Sequence, residues 1–478
     1  MNALATSMTS SEPSVARPAW YVRMLNPRVA VPVALVLLLL AAPFVYREWL
    51  IADLPDPGDP FDVEAFLAAN PAVPRDDNAI ADYIAAEEAI HGDATDFSTE
   101  LLGELTFEHD AISPAAWDWL ASNRRALELW EAGTRKSHRW ILSHRDLDGS
   151  TFEDDRNLPL LVLLQLVKLH RDRDWDAFEK WNRNVLRFSR HLALHDTFSM
   201  SDEYRSDLRS GTQFRKRFRE CLFQFGMSHR LDAVQLKKLL NDVTTEFQKF
   251  PPISETLKTM YLHDVRYLFD RYYLTVNSDH GKVTRTSLFL QNEPKRSHRI
   301  LKHEYGNFLR HCDLPYHKRP QASQDWLYDE SGWSGRAGVL LEEDLEPWAR
   351  PLFSYVSWEL WDTNKAINAW TSETASQQCL QAGLAVVIFL REKGRLPASF
   401  AEIVDAEILS QAPLDPWSRS SSPLQFQHNV KDVRIWSVGR SGDEGDVGVG
   451  FYASDYDLNG VGIPADPDVA EAEVLQAK

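Results

Sequence analysis

The residues best suited to chemistry stand near the C-terminus, in Asp455-Tyr456-Asp457-Leu458-Asn459-Gly460. Oxygen-bearing side chains at alternate positions, then a glycine, match the first half of an EF-hand-like loop. There, carboxylates and carbonyls wrap a calcium ion and the glycine permits the sharp bend. Asp466 stands at the twelfth place of such a loop, where a bidentate glutamate is usual. Gly462 replaces the usual apolar eighth residue, and no helical pattern leads into the loop. Asp455, Asp457 and Asn459 are therefore candidate calcium ligands, and a solvated acidic tail is the competing reading.

Other constellations point away from catalysis. His191 and His195, four residues apart on a helix, could hold a metal from one face, but they flank a stripe with Phe188 and Leu192 and are expected to be structural. His144-Arg145-Asp146-Leu147 spells the start of a kinase catalytic loop. Thr151 stands where that loop needs asparagine, and neither a glycine-rich phosphate loop nor DFG occurs. Asp146-Leu147-Asp148-Gly149-Ser150 imitates an aspartate-nucleophile phosphatase motif, yet Ser143-His144-Arg145 occupies the place of the buried strand that the motif requires. No HExxH occurs. Tryptophans such as Trp117, Trp119, Trp358 and Trp361 could stack on glycan rings, but their helical spacing favours core packing.

The element that positions everything else is Val29–Tyr46, a run without a charge between Arg28 and Arg47. Eighteen helical residues reach about 27 Å, close to the ~30 Å hydrocarbon core, and the two arginines can snorkel to close the gap. Pro32 and Pro43 sit near the ends, where a missing donor costs least. Arg17, Arg23 and Arg28 precede the run, whereas Glu48, Asp53, Asp56, Asp59, Asp62 and Glu64 follow it. Basic flanks stay cytoplasmic, so the N-terminus is expected inside and the C-terminal part outside. A cleaved signal peptide with its site at Ala41-Ala42 is the rival, and Pro43 at the next position argues for retention.

Composition bounds the remainder. With 478 residues, 44% of them apolar and 11% aromatic, the chain can bury a substantial core. A formal charge of -18 repels polyanions and excludes nucleic acid as a natural partner. The three cysteines Cys221, Cys312 and Cys379 have no metal-ligand spacing and read as small buried apolar residues, with one disulfide plus a free thiol as the alternative.

Leu54–Pro74 carries five prolines among acidic residues and reads as a stiff spacer, interrupted by a short helix near Val63–Ala69. Then the helical period dominates. Ser113-Pro114 fits an N-cap followed by proline at the first helical position. Leu158–Leu169 is apolar almost all round, yet too short and too charged for a second span, so it should be the buried central helix. Phe178, Trp181, Val185, Phe188 and Leu192 mark the next helix, joined through Asp172–Asp174 as an antiparallel hairpin. Phe214 to Phe225, Leu236 to Phe250 and Leu257 to Tyr272 repeat the pattern. A helix is expected over Arg299–His311, and a long one from Asn364 to about Lys393, ended by Gly394. Strands are expected at Leu424–His428 and Val433–Val438.

Residues 380–450 resemble the globular part of the major pseudopilin of type II secretion systems. The likeness rests on a helix, Leu396-Pro397, a short helix, Pro413 with Asp415-Pro416-Trp417, strands, and Ser437-Val438-Gly439-Arg440-Ser441-Gly442-Asp443. It covers under a fifth of the chain, and the pseudopilin processing site G-F-T-L-x-E is missing. In that family the last loop binds calcium, which implies Asp443, Asp446 and Asp455 as ligands here. Asp443-Glu444-Gly445-Asp446-Val447 stands where paired glycines are usual, so the ligand register departs from the family's. The whole layout, with Leu127–Thr134 and Leu186–His191, also resembles single-pass proteins of unassigned function from planctomycete bacteria.

The expected fold is mainly α: a transmembrane helix, a large helical-hairpin bundle or irregular α-solenoid, and a small C-terminal α+β module. The expected segments are a disordered cytoplasmic tail (1–28), the span (29–46), a spacer (47–77), a helical extracytoplasmic domain (78–372), the pseudopilin-like module (373–452) and an acidic tail (453–478). Membrane and protein partners, with no nucleic acid, then point to a scaffold or interaction protein of a secretion or envelope assembly. The rival is an extracytoplasmic hydrolase acting on a surface polymer or phosphoester, which requires titratable groups converging in one pocket.

Overall fold

Apolar residues at steps of three and four become helices over most of the described residues. A computed structural model describes residues 27–52, 56–71, 74, 77–92, 112–136, 157–195, 207–228, 230–263, 289–290, 292–293, 295–319, 353–418, 420–428, 432–439 and 450–454. Among these, the protein is mainly helical with one small antiparallel sheet.

Helix α1, Pro27–Leu50, contains an eighteen-residue stretch with a mean hydropathy of 2.5, and none of its residues is buried in protein. Its 24 residues extend roughly 36 Å, enough to cross a bilayer. By length and composition it fits a single-pass membrane protein, and an N-terminal signal sequence would have the same character. It outruns the expected end at Tyr46 because Arg47 to Leu50 continue the helix, with no breaker until the chain turns at Ile51.

Two short helices follow, α2 (Val63–Ala69), capped by the Asp62 side chain, and α3 (Ala79–Glu88), capped by Asn78. Ser113 caps α4 (Pro114–Ser122) with Pro114 at the first position, and α5 is Arg124–Thr134. Helix α6, Asn157–Asp172, buries Leu158, Leu160 to Leu164, Leu166 and Val167, because neighbours cover it on nearly every side. It meets α7, Trp175–His195, as an antiparallel hairpin. His170 packs on Trp175 near the turn, while the Trp181 indole donates to the Val162 carbonyl at 3.1 Å further along.

Helices α8 (Asp207–Met227), α9 (Ala233–Phe247) and α10 (Ile253–His263) continue the body. α7 and α9 run parallel along a polar seam of Glu179–Lys238 (3.3 Å), Arg183–Asp242 (3.4 Å) and Arg190–Glu246 (2.9 Å). Helix α11 spans Lys295–His311 and α12 spans Phe353–Lys393. Both start earlier than expected, α11 because its first turn, Lys295 to His298, is charged or polar, and α12 because Phe353-Ser354-Tyr355-Val356 are residues of weak helical preference.

α12 crosses 372/373 without a break and Gly394 ends it at φ 70°. Its second half lies in one continuous core that joins Tyr83, Trp130, Leu161, Val185, Phe218 and Leu240 to Val387, Phe400, Val433 and Ile435. The helical body and the C-terminal module therefore share a core. Helix α13 (Phe400–Asp405) leads to strands β1 (Gln425–His428), β2 (Asp432–Trp436) and β3 (Gly450–Ser454), ordered β1-β2-β3. Phe426 pairs with Ile435, and Ile435 with Phe451. The third strand lies beyond the glycine- and aspartate-rich run, which hid its alternation in the sequence.

Candidate functional site

On α11, Lys295, Arg299 and Lys302 fall at steps of four and three and so share one face. The last turn of α1 carries Glu48, and the chain leaving it carries Asp56 and Asp59. Opposite charges at matching intervals bring the two together. Lys295 Nζ lies 3.0 Å from Glu48 Oε2, Arg299 Nη1 donates to the Ile51 carbonyl at 3.1 Å, and Lys302 Nζ lies 3.3 Å from Asp56 Oδ1. Lys302 is also 3.9 Å from Asp59, whose carboxylate accepts from the Tyr261 hydroxyl.

The turn Asp56-Pro57-Gly58-Asp59-Pro60 presents both carboxylates to Lys302. Gly58 adopts φ 76° there and donates its N–H to Asp56 Oδ1 at 3.0 Å. Burial works against ionisation of Asp56, but the Gly58 N–H and Lys302 outweigh it and hold the carboxyl below its ordinary range. Phe61 then packs edge-on to Tyr261 (5.4 Å) and Phe66 (5.4 Å). In its described part, the expected spacer thus runs along the body instead of standing free, because its acidic and aromatic residues find cations and rings on α10 and α11.

The seam is closed at its α1 end by Arg47. Its Nη2 donates to Asn292 Oδ1 at 3.0 Å, Asn292 Nδ2 returns a bond to the Arg47 carbonyl at 2.8 Å, and the guanidinium sits 4.0 Å over the Phe289 ring. Phe289 also meets Phe44 edge-on at 5.4 Å. Arg47 is thus committed to the body, whereas the sequence suggested a side chain snorkelling to lipid. Asn292 is 1% exposed and adopts φ 58°, which asparagine tolerates better than most residues. Its partners are 245 positions away in sequence, so no local signal marks it.

A second polar lock holds the C-terminal module. Asp415 is 3% exposed, and its Oδ1 accepts from the Trp417 N–H (2.9 Å) and the Ser437 hydroxyl (2.7 Å), while Oδ2 accepts from the Val438 N–H (2.8 Å). The Asp-Pro-Trp turn is therefore tied to the Ser-Val-Gly run that follows β2, and Trp417 packs on Tyr316 at 4.4 Å. Three donors converge on this carboxylate, which gives it a structural task.

The remaining candidates divide plainly. Asp443, Asp446, Asp455, Asp457 and Asn459 lie outside the described residues, as do His144-Arg145-Asp146-Leu147 and Asp148 to Ser150. His191 is 4% exposed with Nδ1 at 2.6 Å from the Tyr83 hydroxyl, an internal hydrogen bond whose donor follows the tautomer. The His195 side chain falls outside the described set. No group of three His, Cys, Asp or Glu able to hold a metal occurs among the described residues. Trp119 is buried, and Trp117 is half-buried beneath the Arg171 guanidinium at 4.1 Å. Cys221, Cys312 and Cys379 are free and buried, and burial pushes each thiol up to about 12.

No protein-family model, curated protein or solved structure matches this chain.

Proposed function

We propose that this is a single-pass membrane protein that keeps its anchor, with the N-terminus cytoplasmic and the body extracytoplasmic, and that the body serves as a scaffold for a secretion or envelope assembly. The observation that carries the proposal is the seam between the end of α1 and α11, in which Arg47, Glu48 and Ile51 are held by Asn292, Lys295 and Arg299. A scaffold that positions partners relative to a bilayer needs such a fixed attachment, and catalysis does not require it. Basic flanks before α1 and acidic ones after it support the direction.

The finer architecture belongs to the same proposal: successive helical hairpins packed as a bundle or irregular α-solenoid, followed by a pseudopilin-like module. Parallel and antiparallel helix contacts in one core support the first part, and the Asp415 lock between the Asp-Pro-Trp turn and Ser437 supports the second. Calcium remains a reading of the sequence, through Asp443, Asp446, Asp455, Asp457 and Asn459.

Two measurements test the proposal. Alkaline extraction and protease protection of intact cells should leave the full-length chain in the membrane with its body accessible from outside. Release of a chain beginning near Pro43 overturns anchoring. Cross-linking in isolated membranes, followed by purification through a C-terminal tag, should recover a defined partner in fixed ratio. Recovery of this chain alone overturns the scaffold.

A further inference from the structure

We infer that Phe289 and Leu290 enter the interfacial layer of the bilayer beside the anchor, so that the body is attached to the membrane at two points. The inference rests on the anchored reading above. Phe289 touches both Phe44 and Arg47, which are three residues apart on α1, a rise of about 4.5 Å. Phe44 is 58% exposed within the apolar run, and Arg47 is the first charge after it. A ring in contact with both lies at the boundary between hydrocarbon and headgroups.

Tyr46 and Trp49 mark the same level, since both are exposed on α1 and aromatic rings of this kind settle at the headgroup layer. Phe289 and Leu290 are half-buried in the protein, and the turn to Asn292 directs the chain back toward α11. Glu48 is neutralised by Lys295 within the protein, whereas the Arg47 guanidinium is hydrogen-bonded to the neutral Asn292 and keeps its charge. The occupant of this surface is therefore the interfacial zone of the bilayer, where the phosphate of a zwitterionic headgroup is enough to meet the Arg47 charge and a specific anionic lipid is not required.

The test uses the full chain in phosphatidylcholine vesicles, spin-labelled in turn at L290C, V45C and V234C, with relaxation by oxygen compared with relaxation by a water-soluble nickel chelate. The native cysteines are buried with raised pKa and do not compete for the label. Val45 is 66% exposed on α1 and Val234 is 65% exposed on the body, so they report lipid and water respectively. The expected result is that L290C shifts from the V234C ratio toward the V45C ratio, with no further change when phosphatidylglycerol is added. A ratio at L290C equal to that at V234C, with V45C in lipid, overturns the inference alone. An aqueous reading at V45C overturns the anchored reading too. In the unsubstituted chain, a phosphatidylcholine carrying a shallow photoreactive group should tag the peptide containing Phe289. No tagging of that peptide, with α1 tagged, counts against the inference independently of any variant.

Discussion

Arg47 and Asn292 exchange two hydrogen bonds across 245 residues of sequence, one from the guanidinium to the amide oxygen and one from the amide nitrogen to the Arg47 carbonyl. The pair sits where the apolar helix ends and fixes the body's heading relative to that helix. The Asn292 backbone contributes as well, since its carbonyl accepts from the Arg296 N–H at 3.1 Å and so begins α11.

Two substitutions separate these roles. Asn292→Gly keeps a residue comfortable at φ 58° but removes the side-chain bonds, a loss of about 1–3 kcal/mol for buried partners. Asn292→Ala removes the same bonds and adds roughly 1 kcal/mol of left-handed strain. Urea unfolding of the detergent-solubilised full chain should rank wild type above Gly above Ala. Equal midpoints for all three would show that the bracket bears no load.

Close packing in the body gives a sharper expectation. A Cβ on Gly133 would lie 2.7 Å from Tyr83 Cε1 and 2.9 Å from Cδ1. The Tyr83 ring cannot swing away freely, because it packs edge-on to Phe188 at 4.9 Å and its hydroxyl is held by His191. Gly133→Ala should therefore destabilise by about 1–3 kcal/mol through overpacking, against the small gain that alanine gives an ordinary helix. Adding Tyr83→Phe, which removes the hydroxyl tether, should recover part of the loss in a thermal melt.

How much of this was legible in the sequence follows the range of the interactions. The short helix Val63–Ala69, the Ser113 cap and the buried helix α6 were readable, because caps and apolar periods are local. The first turns of α12 were not, since Phe353-Ser354-Tyr355-Val356-Ser357-Trp358 are aromatic, β-branched and hydroxyl residues of weak helical preference, with no cap or apolar period to announce a helix. The seam was half-legible. The acidic residues after the apolar run were visible, but that they face Lys295, Arg299 and Lys302 depends on folding.

The buried ion cluster on α12 sets an acid limit. Glu373 is 6% exposed and is bound by the Arg219 guanidinium, with Arg215 Nε at 3.5 Å and Gln377 Nε2 at 3.2 Å. Burial opposes its ionisation, but the two arginines and the hydrogen bonds prevail and hold its carboxyl below the ordinary 4.5. Between that ordinary value and the lower native one, the unfolded chain binds more protons than the native state. Stability from this group is thus complete above the unfolded value and is lost as pH falls through the native one. Glu373→Gln should flatten that part of the pH profile. At pH 7, Glu373→Ala should cost roughly 3–5 kcal/mol, because two arginines lose their buried counter-charge. An acid profile unchanged in the Gln variant would assign the limit to other carboxylates.

The calcium reading is tested by titration of the full chain in detergent. If Asp443, Asp446, Asp455, Asp457 and Asn459 supply oxygen ligands, calcium should release heat and raise Tm, and magnesium should do so less, because six to eight flexible oxygens suit the larger ion. Asp443→Ala and Asp457→Ala separate the two possible loops. Loss through Asp443 alone places the ion in the run that follows Gly439, and loss through Asp457 alone places it in the EF-hand-like stretch. Asp415→Ala provides the contrast. Its three donors belong to the fold, so it should lower Tm by the same amount with and without calcium. No heat and no shift in the wild type would remove calcium from the protein's chemistry.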